Sequence, residues 1–572
     1  MANFFHGIYA SEIPTSLTAP AQIEMGVPVV IGTAPLHLAT NPASVNAPVV
    51  AYTYNEAVKQ LGYSADFDKY TICEAMKVFF SLYNIAPVVF INVLDSSKHY
   101  KETETEFSGV TTTAPKIEST LLDVNSITVT SGVYVPMNTL VKEKDFVADE
   151  MTLDGENYVK AVEFISTENI IDGKAKITYR QTSTALGGEA VETTVTLANL
   201  TDNTFELPAD AILESVTATS GGEGNTFTNL FAGIDYKVTY ADGVATFTIL
   251  TAERIVDDTI KIVYHETDPT AVTAADIIGG VDIATGKTTG IELVESVHPK
   301  FNLIAGTLIA PKYSLDAGVR AALVAKAKSV SGIFPAMAVA DFDTDEVKDY
   351  TAVVEKKNSM NAADSNLIIC FPKVKNGNDV YHLSTHLAAL MAQTDYNNGN
   401  IPYVSPSNQP LQIDSAVLND GTEVFLTRDH ANVLNQNGIV TALSFSGWKA
   451  WGNYTAAYPS SSDIREIYIP VRRMFNFLTA VFVRNYISKL DMPVTRRLID
   501  SILTSANIYL NGLKNRGALL GGRLEFPSAE NSVTDLMNGS LTFHLYIAPP
   551  IPAQTLLFRL EYDVNYLSAL VG

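Results

Sequence analysis

Near the start of the chain and again after residue 300, short unbroken apolar runs alternate with amphipathic stretches. PVVIGTAP (28–35) reads as a buried strand ended by turn residues. TICEAMKVFFSLYNIA (71–86) reads as a helix, and PVVFINVLD (87–95) as a buried strand. The same grammar resumes with strands in NLIAGTLIAP (302–311), FPAMAVAD (334–341) and NLIICFPKV (366–374). Helices are expected in DAGVRAALVAKAKSV (316–330), DEVKDYTAVVEKKNSM (345–360) and HLSTHLAALMAQT (382–394). Continuous apolar strands alternating with helices predict a doubly wound, mostly parallel α/β sheet covered on both faces.

Between about Lys98 and Thr288 the pattern changes to Thr, Val, Asp and Gly with few helix formers. This stretch repeats itself. SITVTSG (126–132) matches SVTATSG (215–221), and STENIIDGKAKITY (166–179) matches TAERIVDDTIKIVY (251–264). The offsets, 89 and 85 residues, are close to the length of one small β-sandwich. The expectation is two tandem immunoglobulin-like modules, 98–200 and 201–288, inserted into a surface loop of the α/β domain.

GIVTALSFSGWKAWGNYTAAYP (438–459) reads as β structure carrying both tryptophans. Two amphipathic helices follow. Phe475, Leu478, Phe482 and Tyr486 recur at three- and four-residue steps in 472–490, as do Leu498, Ile502, Tyr509 and Leu513 in 495–515. Arg473 and Arg484, eleven residues apart, are expected to share a helix face. GSLTFHLYIAPP (539–550) and the last stretch, QTLLFRLEYDVNYLSALVG, read as alternating strands. In the latter, Leu556, Phe558, Leu560, Tyr562 and Val564 fall on one side and Leu557, Arg559, Glu561 and Asp563 on the other. A lone half-apolar strand needs a partner.

The 572 residues exceed one core, so several domains are expected: an N-terminal arm (1–25), a discontinuous α/β core (26–97 plus 289–462), the two inserted modules, and an α+β C-terminal domain (463–572) ending in a strand arm. With 47% hydrophobic and 18% charged residues the chain is globular. It has no apolar run long enough to cross a membrane and no signal-like opening. Two distant cysteines, Cys73 and Cys370, exclude a disulfide framework and point to a reducing cytoplasm. The net charge of −23 is unevenly spread: 30 acidic and 13 basic residues between Lys98 and Gly290, but three acidic and ten basic between Arg465 and Arg523. The two parts are expected to meet different surroundings.

Chemistry is sparse. GVDIATGKTTG (280–290) has one residue too many between its glycines for a phosphate loop, and a return linker explains it better. His382 and His386, at i and i+4, lack a zincin glutamate and a third ligand, so packed or surface histidines are the plainer reading. SFSGW (444–448) falls short of a nucleophile elbow, and no dinucleotide or EF-hand loop is present. No cofactor, metal or catalytic residue is expected. Arg472, Arg473, Arg484, Lys489, Arg496 and Arg497 read as a basic face meeting an acidic protein surface; nucleic acid is disfavoured because the nearby aromatics sit on apolar stripes.

Together these pieces resemble the contractile tail sheath proteins of phages and related contractile injection particles and bacteriocins. The resemblance is carried by HGIYASEIPTSLTAPAQIEMGVPVVIGTAP (6–35) and by RRMFNFLTAVFVRNYI with RRLIDSILTSANIYLNGLKNRGAL, a GG turn and paired strands. It covers roughly 1–97 and 289–572 and implies a virion tail subunit, assembled in the host bacterial cytoplasm, that stacks in helical rings around a tail tube. It further implies a homo-oligomer joined by exchanged strands, with Gly7, Ile8 and Tyr9 of the N-terminal arm and the terminal alternation as connectors. Baseplate and tail terminator proteins are implied partners, and contraction is a rigid-body slide of subunits from a metastable extended form. The alternatives are a surface-layer or adhesin-like assembly protein, or an α/β enzyme.

Overall fold

The computed structural model describes residues 21–22 and 25–108, twelve β-strands between 122 and 249, and residues 259–360 and 362–570. Side chains are described for 26–99, 268–360 and 362–567. Gly7, Ile8 and Tyr9 lie outside the described residues.

The core is an eight-stranded sheet. In chain order its strands are β1 (Met25–Gly32), β2 (Pro48–Ala51), β3 (Val88–Asn92), β4 (Ile304–Ile309), β5 (Met337–Asp341), β6 (Leu367–Cys370), β7 (Ile439–Ser444) and β8 (Trp448–Trp451). They stand in the order β8-β7-β6-β5-β4-β1-β3-β2. The six inner strands are parallel, and β2 and β8 pair antiparallel at the two edges. Every residue of β3, β5 and β6 is buried. Successive side chains point to opposite faces, so both faces are covered, as the continuous apolar runs require. Helices α1 (Tyr54–Leu61), α2 (Thr71–Met76), α3 (Ala317–Lys328), α4 (Tyr350–Met360), α5 (Leu383–Asn397) and α6 (Arg428–Asn435) surround it. α2 runs on as a π-helical stretch, Lys77–Leu82. The wide apolar surface of HLSTHLAALMAQT has a simple cause: α5 lies across β1, β4, β5 and β6 and is buried over most of its length.

The chain order reverses between β1 and β4, the place where doubly wound sheets usually hold ligands beyond the strands' carboxyl ends. Here that crevice is filled by protein. A Cβ on Gly32 would lie 2.2 Å from Thr71 Oγ1. Thr33 N donates to that same hydroxyl (3.3 Å), and Thr33 Oγ1 donates to Lys69 O (2.7 Å).

The repeat in the inserted region has a backbone counterpart. Ala175–Thr178 pairs antiparallel with Thr128–Ser131, matching Ala175 to Ser131 and Thr178 to Thr128. Residues 89 and 85 positions later pair in the same register, Ile260 with Ser220 and Val263 with Thr217. Strand pairing runs across the 200/201 division. Tyr100–Ser108, which that division gives to the first module, pairs antiparallel with Thr259–Thr267 in the second copy's sheet, and Val191–Thr194 joins the other edge of Tyr100–Ser108. The first copy is therefore nested within the strands of the second. Repeat offsets count the units but say nothing about which distant strand closes each sheet. The immunoglobulin-like sandwich packing would rest on side chains that lie outside the described residues.

Candidate functional site

The C-terminal domain is built on α7 (Ile469–Tyr486) and α8 (Arg496–Asn515). Pro470 opens α7, where its missing N–H costs nothing. Thr495 caps α8, its Oγ1 accepting from Leu498 N at 3.2 Å. Leu498, Ile502, Ala506, Leu510 and Leu513 form the buried stripe of α8, at the spacing expected of one helix face. Against it lies a hairpin of β9 (Gly521–Glu525) and β10 (His544–Ala548).

The two edges of this hairpin differ. Asn507, on α8, accepts from Leu524 N (2.9 Å) and donates to Leu524 O (3.0 Å), so the outer side of β9 is occupied. Since both Leu524 backbone groups point away from the hairpin, so do those of its cross-strand partner Leu545 and, two residues on, of Ile547. Among the described residues nothing pairs with that side of β10. Beneath the hairpin runs an apolar groove of about 630 Å³ lined by Phe475, Phe482, Tyr486, Leu498, Leu545 and Ile547. A two-stranded hairpin is marginal alone, and an open edge is a template for another strand.

The terminal alternation pairs with no strand among the described residues. Leu556, Phe558, Leu560, Tyr562 and Val564 are all exposed, Leu560 at 99%. No strand is formed over 554–563, and a 3-10 turn follows at Val564–Leu570.

The basic residues divide. Arg484, Arg496 and Arg497 are exposed and Lys489 half-buried around the elbow between α7 and α8, with Arg496 Nε 3.0 Å from Asp500. Ile487, Leu490, Met492 and Val494 are exposed at the same elbow. Arg473 departs from the shared-face expectation: it is buried, its Nη1 donating to Asp395 Oδ1 on α5 at 3.0 Å and its Nη2 also bonded to that carboxylate. Its half of α7 is packed under the core, so the face it shares with Arg484 is not exposed along its whole length. Burial pushes the Asp395 carboxyl up, with Arg473 offsetting part of the rise. Arg472 is half-buried with its Nε shielded from solvent. Asp395, the anchor for Arg473, carried no sequence signal, because 78 residues separate the partners.

The polar residues that could suggest an enzyme are enclosed. His382 caps α5; its N donates to Glu74 Oε1 (2.7 Å) and its Nδ1 lies 2.8 Å from Glu74 Oε2. Ser384 N donates to Asp341 Oδ1 at 2.9 Å. Two carboxylates thus meet the positive end of α5. Burial acts to raise Glu74, but the charge and hydrogen bonds of His382 outweigh it and hold the carboxyl below its ordinary value; burial keeps Asp341 above. His386, its Nδ1 3.3 Å from Tyr83 Oη, is pushed down to about 4 by burial. Glu74, Ser384 and His386 are fully buried and Asp341 and His382 nearly so, which leaves no path for a substrate. No group of three potential metal ligands exists among the described residues. The GVDIATGKTTG segment forms a small hairpin, Gly280–Val281 with Thr288–Thr289, rather than a loop opening a long helix.

No protein-family model matches the chain. Individual relatives do. The tail sheath protein of Burkholderia phage BcepMu is 30% identical over 370 residues, covering 59% of this chain and 72% of the relative. A putative prophage major tail sheath protein of Pseudomonas aeruginosa is 24% identical over 395 residues, covering 66% of this chain and 97% of its own length. The solved sheath tail protein of Desulfitobacterium hafniense overlaps 91% of the chain at TM-score 0.41 and 10% identity, covering 93% of its own length. At 30% identity over 72% of its length, the BcepMu relative decides the assignment: the chain belongs to the tail sheath proteins, a family of structural rather than enzymatic subunits.

Proposed function

We propose that the chain polymerises helically, as stacked rings around a tail tube, and contracts by rigid-body rearrangement of subunits to drive the tube through a target envelope. The supporting observation is the pairing of an unsatisfied donor with an unsatisfied acceptor: the exposed apolar alternation 556–564 and the open edge of β10. Among the described residues neither is matched, which supports a second copy as the partner. Each main-chain hydrogen bond in such a pairing contributes roughly 0.5–1.5 kcal/mol. Fully burying a Leu, Phe or Val contributes about 1.5–3 kcal/mol. Side-chain burial therefore dominates the link, and the groove under the hairpin is where it would occur. Such a tether survives while broader contacts break and reform, and stored energy resides in subunit interfaces without a nucleotide.

In this reading the N-terminal arm, with Gly7, Ile8 and Tyr9, supplies the other exchanged strand. The α7–α8 elbow, with Arg484, Lys489, Arg496 and Arg497, faces the tail tube; the acidic inserted β region faces outward. Baseplate and tail terminator proteins meet the two ends of the polymer. Assembly takes place in the host bacterial cytoplasm and the product is part of the virion tail. Negative-stain microscopy of the purified chain tests the proposal: rings or hollow helical tubes are expected, and deletion of Thr555 to Gly572 should leave a folded monomer. Tubes formed by the truncated chain would refute the strand link.

A further inference from the structure

The chain does not run freely from the hairpin to the exposed alternation. Pro550 to Thr555 line one wall of a cleft of about 810 Å³ whose other wall belongs to the core, with Ser405, Asn408, Asn432, Asn453 and Tyr454 among its residues. All the lining side chains are uncharged, and most carry an amide or hydroxyl. Such a wall suits an extended backbone, whose own N–H and C=O groups are neutral. Pro550 and Pro552 bias the residues before them toward extended geometry.

One side chain in that wall is held unusually firmly. The Tyr454 ring stacks on Tyr458 (3.9 Å between centroids, 8° between planes) and on Tyr468 (5.1 Å, 27°). Tyr454 and Tyr468 are also joined by a β-bridge, which ties the wall to the residue that precedes α7. From this fixed ring the hydroxyl donates to Gln554 Oε1 at 2.9 Å. One residue beyond Gln554, after Thr555, come Leu556, Leu557 and Phe558, all exposed.

We propose that Tyr454 is a clasp on the root of the C-terminal segment, giving the inter-subunit tether two lengths. Closed, the tether departs from the core at Gln554, and the stretch to Val564 reaches at most about 35 Å. Open, it departs from the end of β10, and the residues between Ala548 and Gln554 add about 20 Å. A tether of two lengths fits a subunit that keeps its strand in a neighbour while the two bodies move apart. This rests on the strand-exchange reading, but the clasp itself is tested within one chain.

Cysteines introduced as Asp429→Cys, an exposed position on α6, and Thr555→Cys, also exposed, can carry spin labels, because native Cys73 and Cys370 are buried. Pulsed electron paramagnetic resonance on the otherwise full chain should give a narrow distance distribution. Tyr454→Phe, which keeps the ring stack and deletes only the hydroxyl, should broaden it at least twofold. Gln554→Leu, an exposed change that leaves the fold alone, should do the same. A broad distribution in the parent, or variants as narrow as the parent, overturns the clasp. Tubes formed by the chain lacking Thr555 to Gly572, with the narrow distribution retained in the full chain, would count against strand exchange and leave the clasp standing.

Discussion

Arg473 and Asp395 tie the C-terminal domain to the core through a buried ion pair, and removing one partner strands the other charge away from water. Arg473→Ala should therefore destabilise the chain by about 3–5 kcal/mol, whereas Arg473→Met with Asp395→Leu should recover most of the loss. Chemical denaturation of the three proteins checks this; equal stability of the single and double variants would contradict it. His386 makes a second residue-scale prediction. Its folded pKa, about 4, lies below the ordinary value of 6.5, so the unfolded chain binds a proton that the folded chain refuses. Stability from this site is fully present above about pH 6.5 and falls as the pH drops toward 4, by roughly 3 kcal/mol in all. Glu74, held low, adds to the acid loss, while Asp341 and Asp395, held high, oppose it. Denaturation midpoints at pH 7 and 4.5 should differ less in His386→Gln than in the parent. An unchanged difference would show that the carboxylates govern the acid response.

At the scale of elements the hairpin is the informative unit. Because Asn507 occupies the outer side of β9, a new strand can add only beside β10. Ile547 N–H points outward from the hairpin, so Ile547→Pro removes a donor that the folded monomer does not use. The variant should keep its secondary structure by circular dichroism and fail to form tubes. Tubes of normal length would place the acceptor edge elsewhere. The terminal alternation has strand character without a strand partner among the described residues, because a strand is a relation between two stretches of backbone and needs a neighbour to exist.

For the whole molecule, charge is divided between parts that the fold keeps distinct. The inserted region holds most of the negative balance, while exposed Arg484, Arg496 and Arg497 gather at the α7–α8 elbow. Exposed charges act at a distance mainly through steering and are screened by salt. Reversing all three arginines to Glu should weaken co-sedimentation with tail tube at low ionic strength while sparing sheath polymerisation. Undiminished co-sedimentation would remove the elbow from the tube interface. Arg473 is left out of this test because its charge is already neutralised inside the molecule.

The apolar runs at 28–35, 87–95, 302–311, 334–341 and 366–374 by themselves determined the parallel core, since strands buried on both faces must be apolar throughout. The repeats marked two related units, and the alternation from Leu556 pointed to the need for a partner; that the two units share a strand register is a structural finding. Tertiary structure decided what depends on distant residues meeting. It nested the two β units through the pairing of Tyr100–Ser108 with Thr259–Thr267. It supplied edge strand β2, whose four residues are too few to show a period. It turned Arg473 inward onto Asp395 and set Tyr454 over Gln554. Periodicity is local and survives in sequence; which charge is buried, which edge is open and where a segment is held are properties of contacts between residues far apart in the chain.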